Sequence, residues 1–227
     1  MNQADPTDTA PSSPAEPDAS RVEALFAAAG AYREGHFKLK SGRHADRYVE
    51  KFQLLQWPPA VVELCAMIAA RAREVAGEEE IDVVVGPTTG GVMLAYEVAR
   101  QLGVRGMFAE SMRETGGTTR REFRRGFSIR PGERVLLVDD VITTGGSLVE
   151  MLPPIEAGGG ELLLASVLVD RSGGLRQIDS PLSGRHYPVE ALWTLSLPTF
   201  EPGAESCPGC VAGLPLEAPG SSGTSAT

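Results

Sequence analysis

The chain has 227 residues, of which 42% are hydrophobic, and it carries a formal net charge of -9 with a pI near 4.9. This length suits one enzyme-sized domain, and the acidic balance excludes a typical nucleic-acid or anionic-membrane binder, whose surface must be basic to meet phosphates. No apolar run reaches the roughly 20 residues that span a bilayer, and residues 1–20 lack the pattern of a secretory signal, so we expect a cytoplasmic protein whose partners are small molecules.

Composition separates two tails from a folded middle. Residues 1–20 and 213–227 are rich in Pro, Ala, Ser and Gly, so both are predicted to be disordered tails around a single domain over 21–212. In chain order, helical spacing of apolar residues predicts helices over 21–32, 60–76, 90–103 and 147–159. Pro153 and Pro154 must shorten or kink the last of these helices.

Four aliphatic runs predict the strands of the fold. They cover residues 81–86, 104–110, 135–140 and 161–170, and each contains at least three apolar residues in a row. Strands of this kind, alternating with helices, are typical of a parallel sheet that is covered on both faces. The predicted fold class is therefore α/β, with a mostly parallel sheet flanked by helices.

The stretch VLLVDDVITTGGS, residues 135–147, carries the strongest functional signal. Asp139 and Asp140 come at the carboxyl end of a predicted strand, which is the edge where open parallel sheets bind ligands. The threonines, glycines and serine that follow lead into a helix, so their backbone N–H groups and hydroxyls can form a phosphate cradle. The two carboxylates can accept hydrogen bonds from sugar hydroxyls or hold a hydrated divalent cation, and the combination indicates a sugar phosphate.

Two acidic residues alone, or two glycines alone, would occur here by coincidence more often than not. The complete string of thirteen residues is more specific. It lacks the Gly-Lys-Ser/Thr ending of a Walker P-loop, and the GxGxxG dinucleotide signature is absent. The string resembles the phosphoribosyl-pyrophosphate (PRPP) loop of type I phosphoribosyltransferases. The resemblance implies that family's fold, with a small N-terminal hood over about 21–55 and a core over about 60–198, together with Mg2+ as cofactor, held by Asp139 and Asp140 through water. It also implies PRPP contacts from Asp139, Asp140, Val141, Ile142, Thr143, Thr144, Gly145, Gly146 and Ser147.

A second stretch indicates which base is used. GHFKLKSGRHADRY, residues 35–48, is similar to the N-terminal segment of orotate phosphoribosyltransferases, and Lys40 falls on the lysine that this segment contributes to the site. The resemblance implies a catalytic and PRPP-binding role for Lys40, although one of three lysines in an arginine-preferring chain could equally be a solvated surface group. Tyr48 occupies an aromatic position where the family packs the base.

The fourth predicted strand ends in Asp170 and Arg171, which match the Asp-Arg pair that reads orotate in this family. Orotate is a planar anion, and a guanidinium fork suits its carboxylate and ring carbonyls. The resemblance therefore implies orotate contacts from Arg171, Tyr48 and Thr143. The alternative for Asp170 and Arg171 is a surface ion pair.

The turn GPTTGG, residues 86–91, joins the first predicted strand to its helix. Taken alone it is an ordinary strand-to-helix connection. In the family this turn holds pyrophosphate, which implies PRPP contacts from Thr88, Thr89 and Gly90.

The region ESMRETGGTTRREFRRGF, residues 110–127, departs from the family pattern because the mobile catalytic loop of the family often contains lysines and a histidine that are missing here. We expect Arg113 to be catalytic, or the pair Arg120 and Arg121 to bind PRPP, since arginines can neutralise a departing pyrophosphate. A run of charges can also be a solvated face. Because such loops commonly serve the neighbouring subunit's site in the family, the resemblance implies a homodimer.

The whole resemblance implies an orotate phosphoribosyltransferase, a pentosyltransferase that makes orotidine 5'-monophosphate from orotate and Mg-PRPP in pyrimidine (UMP) biosynthesis. Two alternatives stay open at this point. One is a type I phosphoribosyltransferase for a purine or uracil. The other is a non-catalytic PRPP-sensing regulator, which the unfamiliar loop makes worth testing.

Three cysteines, Cys65, Cys207 and Cys210, do not make a disulfide framework. CPGC, residues 207–210, has a spacing that suits zinc, but a structural zinc site needs four ligands, and the sequence offers no second pair at a familiar spacing. We therefore expect free thiols in a C-terminal turn. A zinc ion between two subunits, each donating its CxxC pair, is the alternative.

Overall fold

The computed structural model describes residues 19–39, 41–77, 80–113, 119–203 and 205–219. Its helices are α1 (Ala19–Ala28), α2 (Lys51–Leu55), α3 (Pro58–Ala76), α4 (Gly90–Leu102), α5 (Gly146–Val149), α6 (Leu152–Ala157) and α7 (Pro208–Val211). Its strands are β1 (Tyr32–Lys38), β2 (His44–Val49), β3 (Val83–Pro87), β4 (Arg105–Arg113), β5 (Thr119–Phe123), β6 (Arg134–Ile142), β7 (Glu161–Asp170), β8 (Gln177–Asp179), β9 (His186–Thr194) and β10 (Thr199–Phe200).

The larger sheet has seven strands in the order β5-β4-β3-β6-β7-β9-β8. Strands β4, β3, β6, β7 and β9 run parallel, while β5 and β8 pair antiparallel at the two edges. The four predicted strands are β3, β4, β6 and β7, four of the five parallel strands, so the mostly parallel α/β sheet is confirmed. Strand β9 was not predicted, because its sequence HYPVEALWT alternates buried and exposed positions instead of forming an apolar run.

Two apolar layers cover this sheet. On β3, Val84 packs into the layer formed with α1, α3 and α4, whereas Val83 and Val85 face the layer formed with α5 and α6. A strand buried on both faces has no polar alternation, which is why the apolar runs were visible in the sequence.

The four predicted helices are present with changed ends, whereas the short helices α2 and α7 were not predicted. The prolines at 153 and 154 divide the predicted helix over 147–159 into the short helices α5 and α6. Helix α1 ends at Ala28, earlier than predicted, because Gly30 adopts a left-handed conformation with φ 66° and turns the chain into β1. Among the described residues, no helix is long and apolar enough to cross a membrane.

The smaller sheet has three strands in the order β1-β2-β10 and forms the hood. Strand β10 pairs with β2 through Thr199 opposite Ala45 and Phe200 opposite His44. The hood is therefore not built from the N-terminal residues 21–55 alone, because the chain returns to it after the core. Sequence reasoning missed this return, since a two-residue strand has no detectable period.

The prediction of a disordered tail over 213–227 is wrong for its first seven residues. Lys38 N donates to Glu217 O at 2.7 Å, and Glu217 N donates to His36 O at 2.8 Å, so the segment lies along the open edge of β1. Arg33 also forms an ion pair with Glu217 at 2.6 Å. The loop-like composition concealed this contact because it is made mainly by backbone groups. Residues 1–18 and 220–227 lie outside the described residues.

None of the three cysteines forms a disulfide, and Cys65 and Cys207 are buried. The expectation that the chain offers no second ligand pair beside CPGC is wrong, however. His36 and His44 come together on the β1–β2 hairpin and lie next to Cys207 and Cys210.

Candidate active site

The turns after β3, β6 and β7 lie side by side at the carboxyl edge of the larger sheet, because these three strands are parallel neighbours. Each turn carries one of the predicted groups of site residues. Arg171 N donates to Ile142 O at 2.8 Å, which joins the turn after β7 directly to the one after β6. Three motifs that are far apart in the sequence are therefore brought together at one edge of the sheet by the fold.

Asp139 and Asp140 are buried at the end of β6. Asp139 Oδ1 accepts from Asp140 N at 2.9 Å, and its Oδ2 accepts from the Ser147 hydroxyl at 2.8 Å. Burial, followed by the charge of Asp140, raises the pKa of Asp139 to about 6, although these two hydrogen bonds and Lys51 act in the opposite direction. The protein thus holds a carboxylate pair in a place where two negative charges are unfavourable without a cation.

Lys51 supplies positive charge to this pair. Its Nζ lies 2.7 Å from Asp140 Oδ1, and it comes from the first turn of α2, which links the hood to the core. Asp140 Oδ1 also accepts from Val141 N at 2.7 Å, whereas the buried Oδ2 has no hydrogen-bond partner among the described residues. Sequence reasoning counted Lys51 as one of three lysines but gave it no role. A lysine 89 positions away from its acidic partner leaves no local signal.

Gly90 allows the turn after β3 to approach Asp140. A Cβ atom at position 90 would lie 1.6 Å from Asp140 Oδ2, so no side chain fits there. Gly90 begins α4, whose 13 residues point their N-terminal end at the carboxylate pair. Thr88 is half-buried and Thr89 is exposed beside it, so this turn presents polar groups at the site edge.

The TTGGS loop, residues 143–147, follows β6 and runs into α5. Thr143 and Thr144 are exposed, and Gly145 has a left-handed φ of 79° that lets the chain enter the short helix. These features fit the predicted phosphate cradle. Ser147 differs, because its hydroxyl donates to Asp139 and so orients the carboxylate. Val141 and Ile142 have half-buried and buried side chains, which leaves mainly their backbone groups near the site.

Of the predicted loop arginines, Arg121 is the one that the structure brings to the turn after β3. Its Nη1 donates to Thr88 O at 3.2 Å and to Thr88 Oγ1 at 3.1 Å, while Nε donates to Glu150 Oε2 at 3.1 Å. Its side chain is only 11% exposed. The antiparallel β4–β5 pair positions it, with Arg121 opposite Ser111. Glu150, which orients this arginine, was not predicted.

The other predicted cations are placed differently. Arg113 lies exposed at the end of β4, opposite Thr119. Arg120 forms an ion pair with Glu122 at 2.5 Å. Lys40 and the loop residues 114–118 lie outside the described residues.

The pair Asp170 and Arg171 is not a surface ion pair within the described part of the chain. Asp170 is fully buried, and its Oδ1 accepts from Ser172 N at 2.6 Å and from the Ser172 hydroxyl at 2.5 Å. Arg171 is half-buried, and its Nε has no hydrogen-bond partner among the described residues. Burial lowers the pKa of Arg171, yet the guanidinium group of an arginine stays charged at neutral pH. A desolvated guanidinium with a free donor is suited to a planar anionic ligand.

Tyr48 stands near this guanidinium. The charge of Arg171 acts on its hydroxyl, but burial dominates and raises the pKa of Tyr48. Its ring packs 5.6 Å from that of Phe37, centroid to centroid, and its hydroxyl donates weakly to Glu50 at 3.4 Å. Thr143 lies one residue beyond Ile142, whose carbonyl binds the backbone of Arg171. The three predicted orotate residues are thus grouped around the β6–β7 edge and the hood strand β2.

Comparisons of the sequence and the fold with known proteins identify the family. A family model described as the phosphoribosyl transferase domain matches residues 53–189. An orotate phosphoribosyltransferase from Pelotomaculum thermopropionicum is 48% identical over 200 residues, covering 88% of this chain and 96% of the relative. One from Desulforamulus reducens is 43% identical and covers 87% and 94%. The crystal structure of orotate phosphoribosyltransferase from Aeropyrum pernix superposes with a TM-score of 0.57 at 27% identity, covering 77% of this chain and 93% of that one. The chain belongs to the orotate phosphoribosyltransferase family, among the proteins that carry the phosphoribosyl transferase domain.

Proposed function

We propose that this chain transfers the 5-phosphoribosyl group of PRPP to orotate, giving orotidine 5'-monophosphate and pyrophosphate. One observation carries the proposal: the acidic pair and glycine-rich loop after β6 lie between a turn that receives Arg121 and a half-buried arginine with an unsatisfied Nε. PRPP is anionic at both ends and carries ribose hydroxyls between them. Orotate is a planar anion, so each part of the two substrates has a matching group along this edge.

PRPP would lie along the turns after β3 and β6. The exposed Thr143 and Thr144 hydroxyls and the glycine backbone would receive the 5-phosphate, and the carboxylates of Asp139 and Asp140 would accept from ribose hydroxyls. The pyrophosphate would then reach the turn after β3. That turn and the arginines near it comprise Thr88, Thr89, Gly90, Arg113, Arg120 and Arg121. Lys40 is proposed as a further PRPP contact on the basis of the hood motif.

Magnesium fits the carboxylate pair as the accompanying cation. Hard divalent cations prefer oxygen ligands, and Asp140 Oδ2 is a buried oxygen without a partner among the described residues. Burial, followed by the charge of Asp140, raises the pKa of Asp139, so the second carboxylate charge is unfavourable here even beside Lys51, and a cation would offset it. Asp139 and Asp140 would hold Mg2+ through water, and the ion would supply positive charge that offsets the charge of the pyrophosphate.

The residues of the chain then act by positioning and by charge. Fixing PRPP and orotate face to face removes most of the entropic barrier to their reaction. The bond from the anomeric carbon to pyrophosphate breaks through a transition state with oxocarbenium character, and the orotate nitrogen attacks from the opposite side. The N–H bond of that nitrogen also breaks, and its proton leaves to water or to the departing pyrophosphate. Arg121 stabilises the negative charge that develops on the pyrophosphate, since it already contacts the turn that would hold it.

Orotate would bind against β7 and the hood. The Nε–H of Arg171 would donate a hydrogen bond to the orotate anion. The Tyr48 ring would pack near the base, and the Thr143 hydroxyl would add a polar contact. The burial of Arg171 strengthens this contact, because charge-assisted hydrogen bonds gain in a desolvated site.

Base specificity and Arg171 test the proposal together. Orotate, adenine, hypoxanthine and uracil are each mixed with PRPP, Mg2+ and protein, and the products are separated by chromatography. We expect a nucleotide only from orotate, and a kcat/KM for orotate about 10–100-fold lower in Arg171→Lys, the scale of one lost charge-assisted contact. Arg176→Lys, at an exposed arginine five residues later, serves as the matched control and should behave as wild type. A purine or uracil product, or an unchanged Arg171→Lys, would contradict the proposed base.

We also propose that the chain works as a homodimer. The support is the family resemblance, in which the loop between β4 and β5 serves the neighbouring subunit's site. Light scattering on the eluting protein should give twice the mass of 24.0 kDa. Full activity from a species of single-chain mass would contradict the dimer.

A further inference from the structure

Four metal-binding side chains meet in the hood, and none of them belongs to the candidate active site described above. His36 is on β1, His44 is on β2, Cys207 precedes α7 and Cys210 is within it. One ligand atom from each of the four residues lies within 4.8 Å of the others. His36, His44 and Cys207 are buried, and Cys210 is half-buried. We propose that these four residues form a structural Zn2+ site within one chain, which fastens the C-terminal segment to the hood hairpin.

The distances fit a tetrahedral Zn2+ site. The Cys207 and Cys210 sulfurs lie 3.4 and 3.5 Å from His36 Nε2, and the Cys210 sulfur lies 3.3 Å from His44 Nδ1. Zinc bonds of about 2.0 Å to nitrogen and about 2.3 Å to sulfur give tetrahedral N···S edges of about 3.5 Å. His36 Nε2 and His44 Nδ1 are 2.8 Å apart, so binding would separate them by about half an ångström.

The hydrogen bond behind His36 orients the ring for a metal. His36 Nδ1 lies 3.0 Å from Leu214 O, and a carbonyl can only accept, so Nδ1 carries the proton and Nε2 faces the cluster with its lone pair. A backbone carbonyl behind a histidine is a usual outer partner in metal sites. Leu214 belongs to the segment over 213–227 that was expected to be disordered, and it follows CPGC closely in the chain. Residues on both sides of position 213 therefore build the site: CPGC supplies two cysteine ligands, and Leu214 orients one of the histidines.

Gly209 shows that CPGC is shaped for this contact. A Cβ atom at position 209 would lie 2.5 Å from His36 Cγ, so the turn between the cysteines can receive the imidazole only with glycine. The backbone of the turn closes over itself, with Val211 N donating to Cys207 O at 3.0 Å and Leu214 N donating to Gly209 O at 2.9 Å. A CxxC turn that approaches an imidazole this closely holds both thiols on the side of the histidines.

The charges of the four ligands also favour zinc. Two thiolates and two neutral imidazoles carry a charge of -2, which Zn2+ neutralises, so the buried site has no net charge. Four protein ligands leave no open position, which is the arrangement of a structural rather than a catalytic zinc. Binding would release the two thiol protons. The site ties residues that are 166 positions apart, since Cys210 meets His44 across the fold.

Metal content of the intact, untagged chain tests the proposal directly. Protein purified without added zinc or chelator is analysed by plasma mass spectrometry, and we expect one zinc per chain. Cys207→Ser and Cys210→Ser should each reduce the zinc content at least about tenfold. Cys65→Ala and His186→Gln should keep it, because Cys65 lies in the core and His186 pairs with Asp179 on an exposed strand.

Cobalt replacement gives a readout that does not require a variant to fold. Refilling the chelator-treated wild-type chain with Co2+ should produce the visible absorption of tetrahedral cobalt and a thiolate-to-metal band in the near ultraviolet. Zero zinc with no such spectrum would overturn the proposal, and so would a Cys207–Cys210 disulfide found by mass spectrometry. Half a zinc per chain would also overturn it, because that is the stoichiometry of two CxxC pairs meeting between subunits.

Discussion

At the scale of single residues, the buried carboxylate of Asp139 lowers the free energy of unfolding of the ligand-free protein at neutral pH. Its pKa is raised to about 6 in the folded chain, mainly by burial, so the folded state binds its proton more tightly than the unfolded state does. Below the unfolded pKa of about 3.9 Asp139 is protonated in both states and does not change the free energy of unfolding. Above pH 6 it is ionised in both states, and its buried charge destabilises the folded state in full.

We therefore expect Asp139→Asn to lower turnover at least about tenfold and yet to raise the free energy of unfolding by about 1–2 kcal/mol at pH 7.5 in the ligand-free protein. The gain should shrink between pH 6 and pH 4. Urea denaturation of wild type and variant across this range measures the gain, and steady-state rates measure the loss. A variant less stable than wild type at pH 7.5 would mean that the Asp139 charge is well compensated in the fold.

Asp140→Asn should also lower turnover at least about tenfold, because its carboxylate is proposed to hold the ribose and the cation. Unlike Asp139→Asn, this variant should not gain in free energy of unfolding, since it removes the anionic partner of Lys51. Kinetics with saturating PRPP and Mg2+ measure the effect. A wild-type rate in this variant would remove Asp140 from the site.

Gly90 gives a steric test of the same place. A Cβ atom there would lie 1.6 Å from Asp140 Oδ2, so Gly90→Ala must displace either the carboxylate or the start of α4. We expect kcat/KM to fall about 100-fold or more with the fold retained, since a displacement of this size disrupts reactant alignment. Circular dichroism checks the fold beside the kinetics. Unchanged activity would show that Asp140 need not occupy this position during the reaction.

At the scale of elements, the β4–β5 hairpin determines which arginine reaches the turn after β3. Arg121 contacts Thr88, whereas Arg125 on the same hairpin pairs with Glu110 at the surface. We expect Arg121→Ala to lower kcat/KM about 10–100-fold, and Arg125→Ala, the matched control, to stay near wild type. Equal losses in both would point to the charge of the hairpin as a whole instead of to one contact.

The elements also show what the sequence could and could not predict. Strands β3, β6 and β7 were visible because burial on both faces requires continuous apolar runs, and their order placed Asp139, Thr88 and Arg171 at one edge. The hood strands were not visible, because β1 and β2 mix charged and buried residues and β10 has two residues. Lys51 and Glu150 act through contacts with residues far along the chain, and the His36–Cys207 contact spans 171 positions. Distant contacts between unlike residues leave no local pattern.

At the scale of the whole molecule, Cys65 reports on the core. Burial raises the pKa of its thiol to about 12, and it packs inside the layer between α3 and the larger sheet. We expect iodoacetamide at pH 8 to leave Cys65 unmodified in the native protein and to modify it fully in denaturant, because the thiolate is the reactive form. Site-specific mass spectrometry measures the modification, and fast labelling in native buffer would reveal frequent opening of the core.

The loss of orotate absorbance measures the proposed reaction itself. Purified protein is mixed with orotate, and PRPP and Mg2+ are added separately and then together. We predict that absorbance falls only when both are present, with one pyrophosphate released for each orotate consumed. PRPP binding without any loss of orotate would contradict the enzyme and would favour a PRPP-sensing protein in its place.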